Sequence, residues 1–113
     1  MSRTQKLYLN DIHDSAKAIF EYTAGLSFEE FSKDRKTYAA TIREFEIIGE
    51  AVGSLSEDAK ARFPEVQWQD IKDFRNILAH EYFGVDLEIV WKVVQEDLPE
   101  LYEVVVKLLE DFD

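Results

Sequence analysis

Between Asp34 and Leu55 the chain reads as one long helix with two apolar faces. At about 100° per residue, Tyr38, Ile42, Phe45, Ile48, Gly49 and Val52 fall on one side, and Ala40, Ile47 and Ala51 fall nearly opposite. A helix that must hide both sides cannot lie on the surface of a small fold. Either it runs through the middle of a bundle, or one side is covered by a second copy of the chain. Gly49 and Gly53, four residues apart, allow another helix to come close, which is read here as a tight crossing inside the core. At 113 residues the chain has room for one such core and is read as a single domain, 1–113.

The remaining segments keep the same period. Leu9, Ile12, Ala16, Ile19, Phe20 and Thr23 predict a first helix over residues 4–23, closed by Ala24-Gly25. His13 sits at the edge of that stripe with no acid three or four residues away, so it reads as a packing histidine. Ser27-Phe-Glu-Glu30 predicts a capping box, and a short helix is expected from Ser56 to Arg62. Phe63-Pro-Glu-Val-Gln67 breaks the pattern, and residues 81–85 are expected to form a loop before Asp86 caps the last element. Val90, Trp91, Val94, Leu98, Leu101, Val105, Leu108 and Leu109 give that element its apolar face, and Pro99 predicts a kink or break near Asp97. The expected architecture is all-α: an up-and-down bundle of four to five helices.

Charge and composition narrow the function. A net charge of -11 argues against loose capture of nucleic acid. Residues 81–113 hold ten acids and two bases, whereas residues 1–80 hold fourteen acids and eleven bases, so the acidic excess belongs to the C-terminal third. Cysteine is absent, which removes disulfides, thiolate metal sites and thiol nucleophiles. No signal-peptide pattern opens the chain and no apolar run reaches membrane-spanning length, so a soluble cytoplasmic protein is expected. Neither histidine belongs to a Glu-x-x-His or His-Glu-x-x-His unit, and no glycine-rich phosphate loop is present. No metal or cofactor is therefore expected.

The stretch Trp68-Gln-Asp-Ile-Lys-Asp-Phe-Arg-Asn-Ile-Leu-Ala-His-Glu-Tyr82 stands apart. Trp68, Ile71, Phe74 and Leu78 form an apolar stripe, with Asp73, Asn76 and His80 opposite. Arg75 falls inside the stripe. Its neighbours at three and four residues are Ile71, Lys72, Leu78 and Ala79, so no carboxylate at those spacings can pair with it. Its stem could cover core surface with the head reaching water, or its guanidinium could serve another helix, a second chain or a ligand. His80 could simply cap orphan carbonyls in the last turn, and Tyr82 could be a half-buried aromatic with a wet hydroxyl.

Arg75-Asn-Ile-Leu-Ala-His80-Glu-Tyr82 fits the Arg-x4-His-x-Tyr motif of HEPN domains. Ile42-Arg-Glu-Phe-Glu-Ile-Ile-Gly-Glu-Ala51, Trp68 with Ile71, Asp86-Leu-Glu-Ile-Val-Trp91 and Asp97-Leu-Pro-Glu100 fit the same group. From about Leu7 to its end the chain resembles HepT-type toxins, the HEPN halves of HEPN/MNT toxin–antitoxin pairs. The resemblance implies a HEPN-like helical bundle, a homodimer with paired motifs at the interface, and metal-independent cleavage of RNA. It assigns Arg75 and His80 as catalytic, with Asn76 in support because it lies four residues before His80 on the same face. It also implies a partner nucleotidyltransferase of the MNT type that silences the toxin by attaching AMP to Tyr82.

Helix geometry sets one condition on this assignment. Five residues apart, Arg75 and His80 diverge by about 140° and about 7.5 Å of rise. Either the helix ends before His80 and the arginine curls towards it, or a two-fold axis brings both residues of two copies into one cleft. The competing reading is a non-catalytic acidic module that docks the nucleotidyltransferase, a nucleotide or RNA.

Overall fold

The computed structural model describes residues 3–80 and 85–112, except the side chains of residues 79 and 80. Among the described residues every regular element is helical. The first, α1 (Arg3–Thr23), ends where Gly25 takes a φ of 75°, a left-handed turn that suits glycine, and Leu26 N–H donates to Thr23 O at 3.1 Å. A short α2 (Phe28–Lys33) follows under the full capping box: Glu30 N–H donates to Ser27 Oγ at 3.1 Å, and Ser27 N–H donates to Glu30 Oε1 at 3.0 Å. Asp34 then caps α3 (Arg35–Ser54) by accepting from Thr37 N–H and hydroxyl. These bonds favour the ionised carboxyls. Glu30, bonded first by the Ser27 backbone, and Asp34, bonded first by the Thr37 hydroxyl, both sit below the usual carboxylate range.

Ser56 caps the five-residue α4 (Glu57–Ala61), and Gln5 holds the α3–α4 link to α1. Its Nε2 donates to Ser54 O at 3.3 Å and its Oε1 accepts from Ser56 N–H at 2.8 Å. After the break comes α5 (Trp68–His80), the helix of the motif. Asp86 caps α6 (Leu87–Lys92) through a bond from Glu88 N–H at 2.9 Å. The last helix is α7 (Leu98–Glu110), with Pro99 in its first turn.

The expected kink near Asp97 takes a specific form. Residues Val93–Asp97 make one π-helical turn, in which Leu98 N–H reaches back five residues to Val93 O. Val93 and Leu98 both keep right-handed helical dihedrals, so α6 runs into α7 without a break. A proline has no N–H to give to the carbonyl four residues back and its ring crowds that carbonyl; one wide turn just ahead of it accommodates both facts. The helix count also differs from the four to five expected. The described residues contain seven α-helical segments, because Ser27, Ser56 and Asp86 each start a short helix of five or six residues.

Packing covers most of the double-faced helix. α3 packs against both α1 and α5, α7 packs against α1, and Leu98 and Leu101 of α7 come round to face Phe45 and Ile48 of α3. Phe45, Ile48 and Val52 of the first face are buried between these helices, and of the second face Ala51 is buried while Ala40 and Ile47 are half-buried. α2 bridges α3 and α6, with Phe31 fully buried against Trp91 at a ring separation of 5.0 Å. No helix among the described residues is long and apolar enough to cross a membrane.

Candidate functional site

Three contacts fix α5 before any of its polar residues is considered. The indole N–H of Trp68 donates to both Lys60 O and Phe63 O at 3.1 Å, pinning the start of the helix to α4. Phe74 meets Phe45 of α3 edge to face at 5.4 Å, and Leu78 is buried near the other end. The helix therefore cannot roll about its axis without losing all three, and the direction of each remaining side chain is set.

Arg75 lies at the crossing with α3. A methyl group built on Gly49 would stand 2.1 Å from Arg75 Cβ and 2.6 Å from its Cγ. Only a residue without a side chain permits that approach, and the stem of Arg75 occupies the space. Gly53, one turn on, faces Lys72 less closely, with its Cε at 3.8 Å from the equivalent point. The two glycines are thus covered by the stems of two cations.

The head of Arg75 is only partly satisfied. Its Nη1 donates to Asn76 Oδ1 at 3.2 Å at the surface, whereas its Nε is buried and has no hydrogen-bond partner. A search at spacings of three and four misses Asn76 because it is the next residue; a guanidinium lying across the helix can reach it. Of the two readings of the sequence this is the first, since the stem covers core surface and one head nitrogen reaches the exterior, bonded within its own helix. A buried donor left without an acceptor is rare and costs about 1–3 kcal/mol.

His80 is the last residue of α5, so the helix does not end before it. A regular helix between Arg75 and His80 leaves about 140° and about 7.5 Å between them. Tyr82 lies outside the described residues, as do the side chain of His80 and residues 81–84 of the loop expected over residues 81–85. Asn76 is exposed on the outer face of the helix, where the motif's polar residues were expected.

On the flank of α5 away from Arg75 a groove of about 360 Å³ opens towards the π turn and α7. Phe45, Ile48, Ile71, Phe74 and Leu101 floor it, and Asp70, Asp73, Asp97 and Glu100 stand along it with no basic residue among its lining. Ile77 on this side is 55% exposed. Those carboxylates do not converge: no group of three or more His, Cys, Asp or Glu among the described residues is placed to hold a metal ion.

The other histidine is elsewhere. His13 Nδ1 meets Asp14 Oδ1 at 3.0 Å, its Nε2 meets the Tyr102 hydroxyl at 3.2 Å, and the two rings stack at 5.1 Å. It joins α1 to α7, as a packing histidine does. Its partner lies 89 residues away, beyond the reach of any local pattern.

Comparison with known proteins places the chain in a family. The family model Ribonuclease HepT-like matches residues 12–108. A chain of Thermococcus cleftensis named "Probable ribonuclease HepT" is 45% identical over 101 residues, covering 89% of this chain and 92% of that one. A provisionally named RNase of Methanocaldococcus jannaschii is 40% identical over 99 residues, 88% of this chain and 91% of its own length. A longer protein of the same organism, named for a gamma-glutamylcyclotransferase and a provisional RNase, is 37% identical over 113 residues; the match spans all of this chain and about half (51%) of that protein. No solved structure matches.

Proposed function

Because the chain belongs to the Ribonuclease HepT-like family, we propose that it is a metal-independent endoribonuclease, the toxin half of a toxin–antitoxin pair. It acts in the cytoplasm as a homodimer of one HEPN-like helical domain per chain, and an MNT-type nucleotidyltransferase neutralises it. The observation that carries this reading is the seating of Arg75. A permanent charge is laid into a helix crossing with a buried donor unused, on a helix that stays regular as far as His80.

Positions 75 and 80 of a regular helix face about 140° apart, so the site is completed across a two-fold axis that pairs two copies of both residues. The ribose 2′-oxygen bonds to the adjacent phosphorus as the bond from phosphorus to the 5′-oxygen breaks. One His80 accepts the 2′-hydroxyl proton, and the other, protonated, donates to the departing 5′-oxygen. The Arg75 pair binds the phosphoryl oxygens on which charge grows, leaving a 2′,3′-cyclic phosphate. Asn76 holds the arginine head through the bond at 3.2 Å and so supports the site from the side. An AMP group on Tyr82 would place bulk and negative charge beside Arg75 and obstruct the RNA phosphate.

Charge favours a second reading. With a net charge of -11 and four carboxylates beside α5, the chain also suits a module that docks the nucleotidyltransferase, a nucleotide or RNA without cutting. Purified protein incubated with structured RNA in EDTA separates the two. Cuts ending in cyclic phosphate, lost in His80→Ala while the protein stays folded and dimeric, support the enzyme; binding without cuts supports the module.

A further inference from the structure

We infer that Gly49 is a positioning residue for Arg75: by having no side chain it sets the height and direction at which the guanidinium leaves the α3–α5 crossing. The inference deepens the ribonuclease reading and rests on it for its effect on rate.

Two independent observations meet at this point. A Cβ on residue 49 would lie 2.1 Å from Arg75 Cβ, where ordinary contact begins at 3.4 Å, so any other residue drives α5 or the stem of Arg75 back by more than an ångström. The obstacle is the root of the side chain, which moves only with its helix, and not a flexible tip. Separately, Arg75 Nε is buried with no partner, so the stem is not held there by a hydrogen bond of its own. The one bond of the head, from Nη1 to Asn76 Oδ1 at 3.2 Å, stays on its own helix at the surface, so the seat of the stem against α3 is set by shape, and that shape is supplied by Gly49. The neighbouring Gly53 provides the internal comparison. A Cβ there would meet only the far carbons of Lys72, at 3.8 and 3.9 Å, which is comfortable contact. Of two glycines on one face of one helix, a single one is required, and it is the one under the motif arginine.

Displacement of a catalytic group by about 1 Å costs on the order of 100-fold in rate even when the group is intact. Gly49 therefore acts on rate only through Arg75. The test uses Gly49→Ala, Gly53→Ala and Arg75→Gly in the full chain, with single-turnover cleavage of a structured RNA and the exchange of the Arg75 Nε proton followed by NMR. The expected result is a slowly exchanging Nε proton in the parent and in Gly53→Ala, lost in Gly49→Ala. Gly49→Ala cleaves about 100-fold more slowly, Gly53→Ala cleaves as the parent does, and adding Gly49→Ala to Arg75→Gly, which removes the Cβ it would meet, lowers the rate no further. An unchanged Nε signal and rate in Gly49→Ala, or a further loss on top of Arg75→Gly, overturns the inference. Should the parent cut no RNA, the ribonuclease reading fails by itself and the Nε proton still decides whether Gly49 sets Arg75. Should Gly49→Ala fail to fold, the swap Gly49→Ala with Arg75→Gly is expected to fold again, because it returns the missing space; a swap that stays unfolded overturns the inference.

Discussion

Replacing Arg75 by methionine separates what the arginine does for the fold from what it does for chemistry. Methionine has a similar unbranched stem and a similar helix propensity, so the surface above Gly49 stays covered. What disappears is a buried Nε donor without an acceptor, which costs the folded state about 1–3 kcal/mol, and one surface bond to Asn76, worth about 0.5–1 kcal/mol. The net change in stability is expected to lie between nothing and a gain of about 2 kcal/mol. For a chain of 113 residues the entropy of unfolding makes each kcal/mol worth about 4 °C, so Tm should hold or rise by up to about 8 °C. Cleavage should fall by about 100- to 1,000-fold, the loss typical of removing a charge aimed at a developing oxyanion. Calorimetry and a gel assay on the same preparation read both numbers. A variant that melts more than about 4 °C below the parent would mean that the guanidinium is a structural anchor, and the reasoning from the unused donor would be wrong. A variant that melts as expected and still cuts RNA would remove Arg75 from the chemistry.

Phe31→Ala should cost about 3–5 kcal/mol, because a fully buried ring packed on Trp91 and Tyr38 is lost; a Tm drop of only a few degrees in thermal melts would contradict that packing. Glu30 and Asp34 ionise below their ordinary range in the fold, so the unfolded chain takes up their protons first. Their stabilisation is complete above the ordinary carboxylate value of about 4 and fades as pH falls through the lower folded values, so amide exchange at the starts of α2 and α3 should speed up there. In Asp34→Ala the α3 part of that pH dependence should vanish, and its persistence would count against the cap. Co-expression with a neighbouring nucleotidyltransferase should add AMP to Tyr82, visible by mass spectrometry and absent in Tyr82→Phe; an unmodified tyrosine removes the proposed control.

What could be read in advance depended on the reach of each interaction. Ser27 with Glu30, Asp34, Asp86 and the Ala24-Gly25 pair act within about four residues, so their bonds are written directly in the local order of the chain. The periodicity of α3 showed two apolar sides that need cover, and the crossing at Gly49 was expected, but not its occupant. That Arg75 lies there depends on the turn at residues 55–67, which no stripe encodes. The bond to Asn76 was missed because i to i+1 pairs are discounted on a helix, a rule that holds for short side chains and fails for a guanidinium lying sideways. Pro99 announced an interruption, yet whether a helix breaks, kinks or widens there is decided by what packs around it. His13 with Tyr102 shows the same limit at long range.

The acid-lined groove gives α5 an electrical sidedness across its width. Lys72 and Arg75 stand on the flank towards α3, and Asp70 and Asp73 on the flank towards α7, within a helix only about 10 Å thick. A polyanion drifting towards this helix is drawn to one edge and turned away from the other before it touches either. At physiological salt the Debye length is about 8 Å, so both edges are felt together at close range. For the ribonuclease proposed above, that sidedness would put the berth of a phosphate chain on the Lys72 and Arg75 edge, chosen by the field ahead of shape.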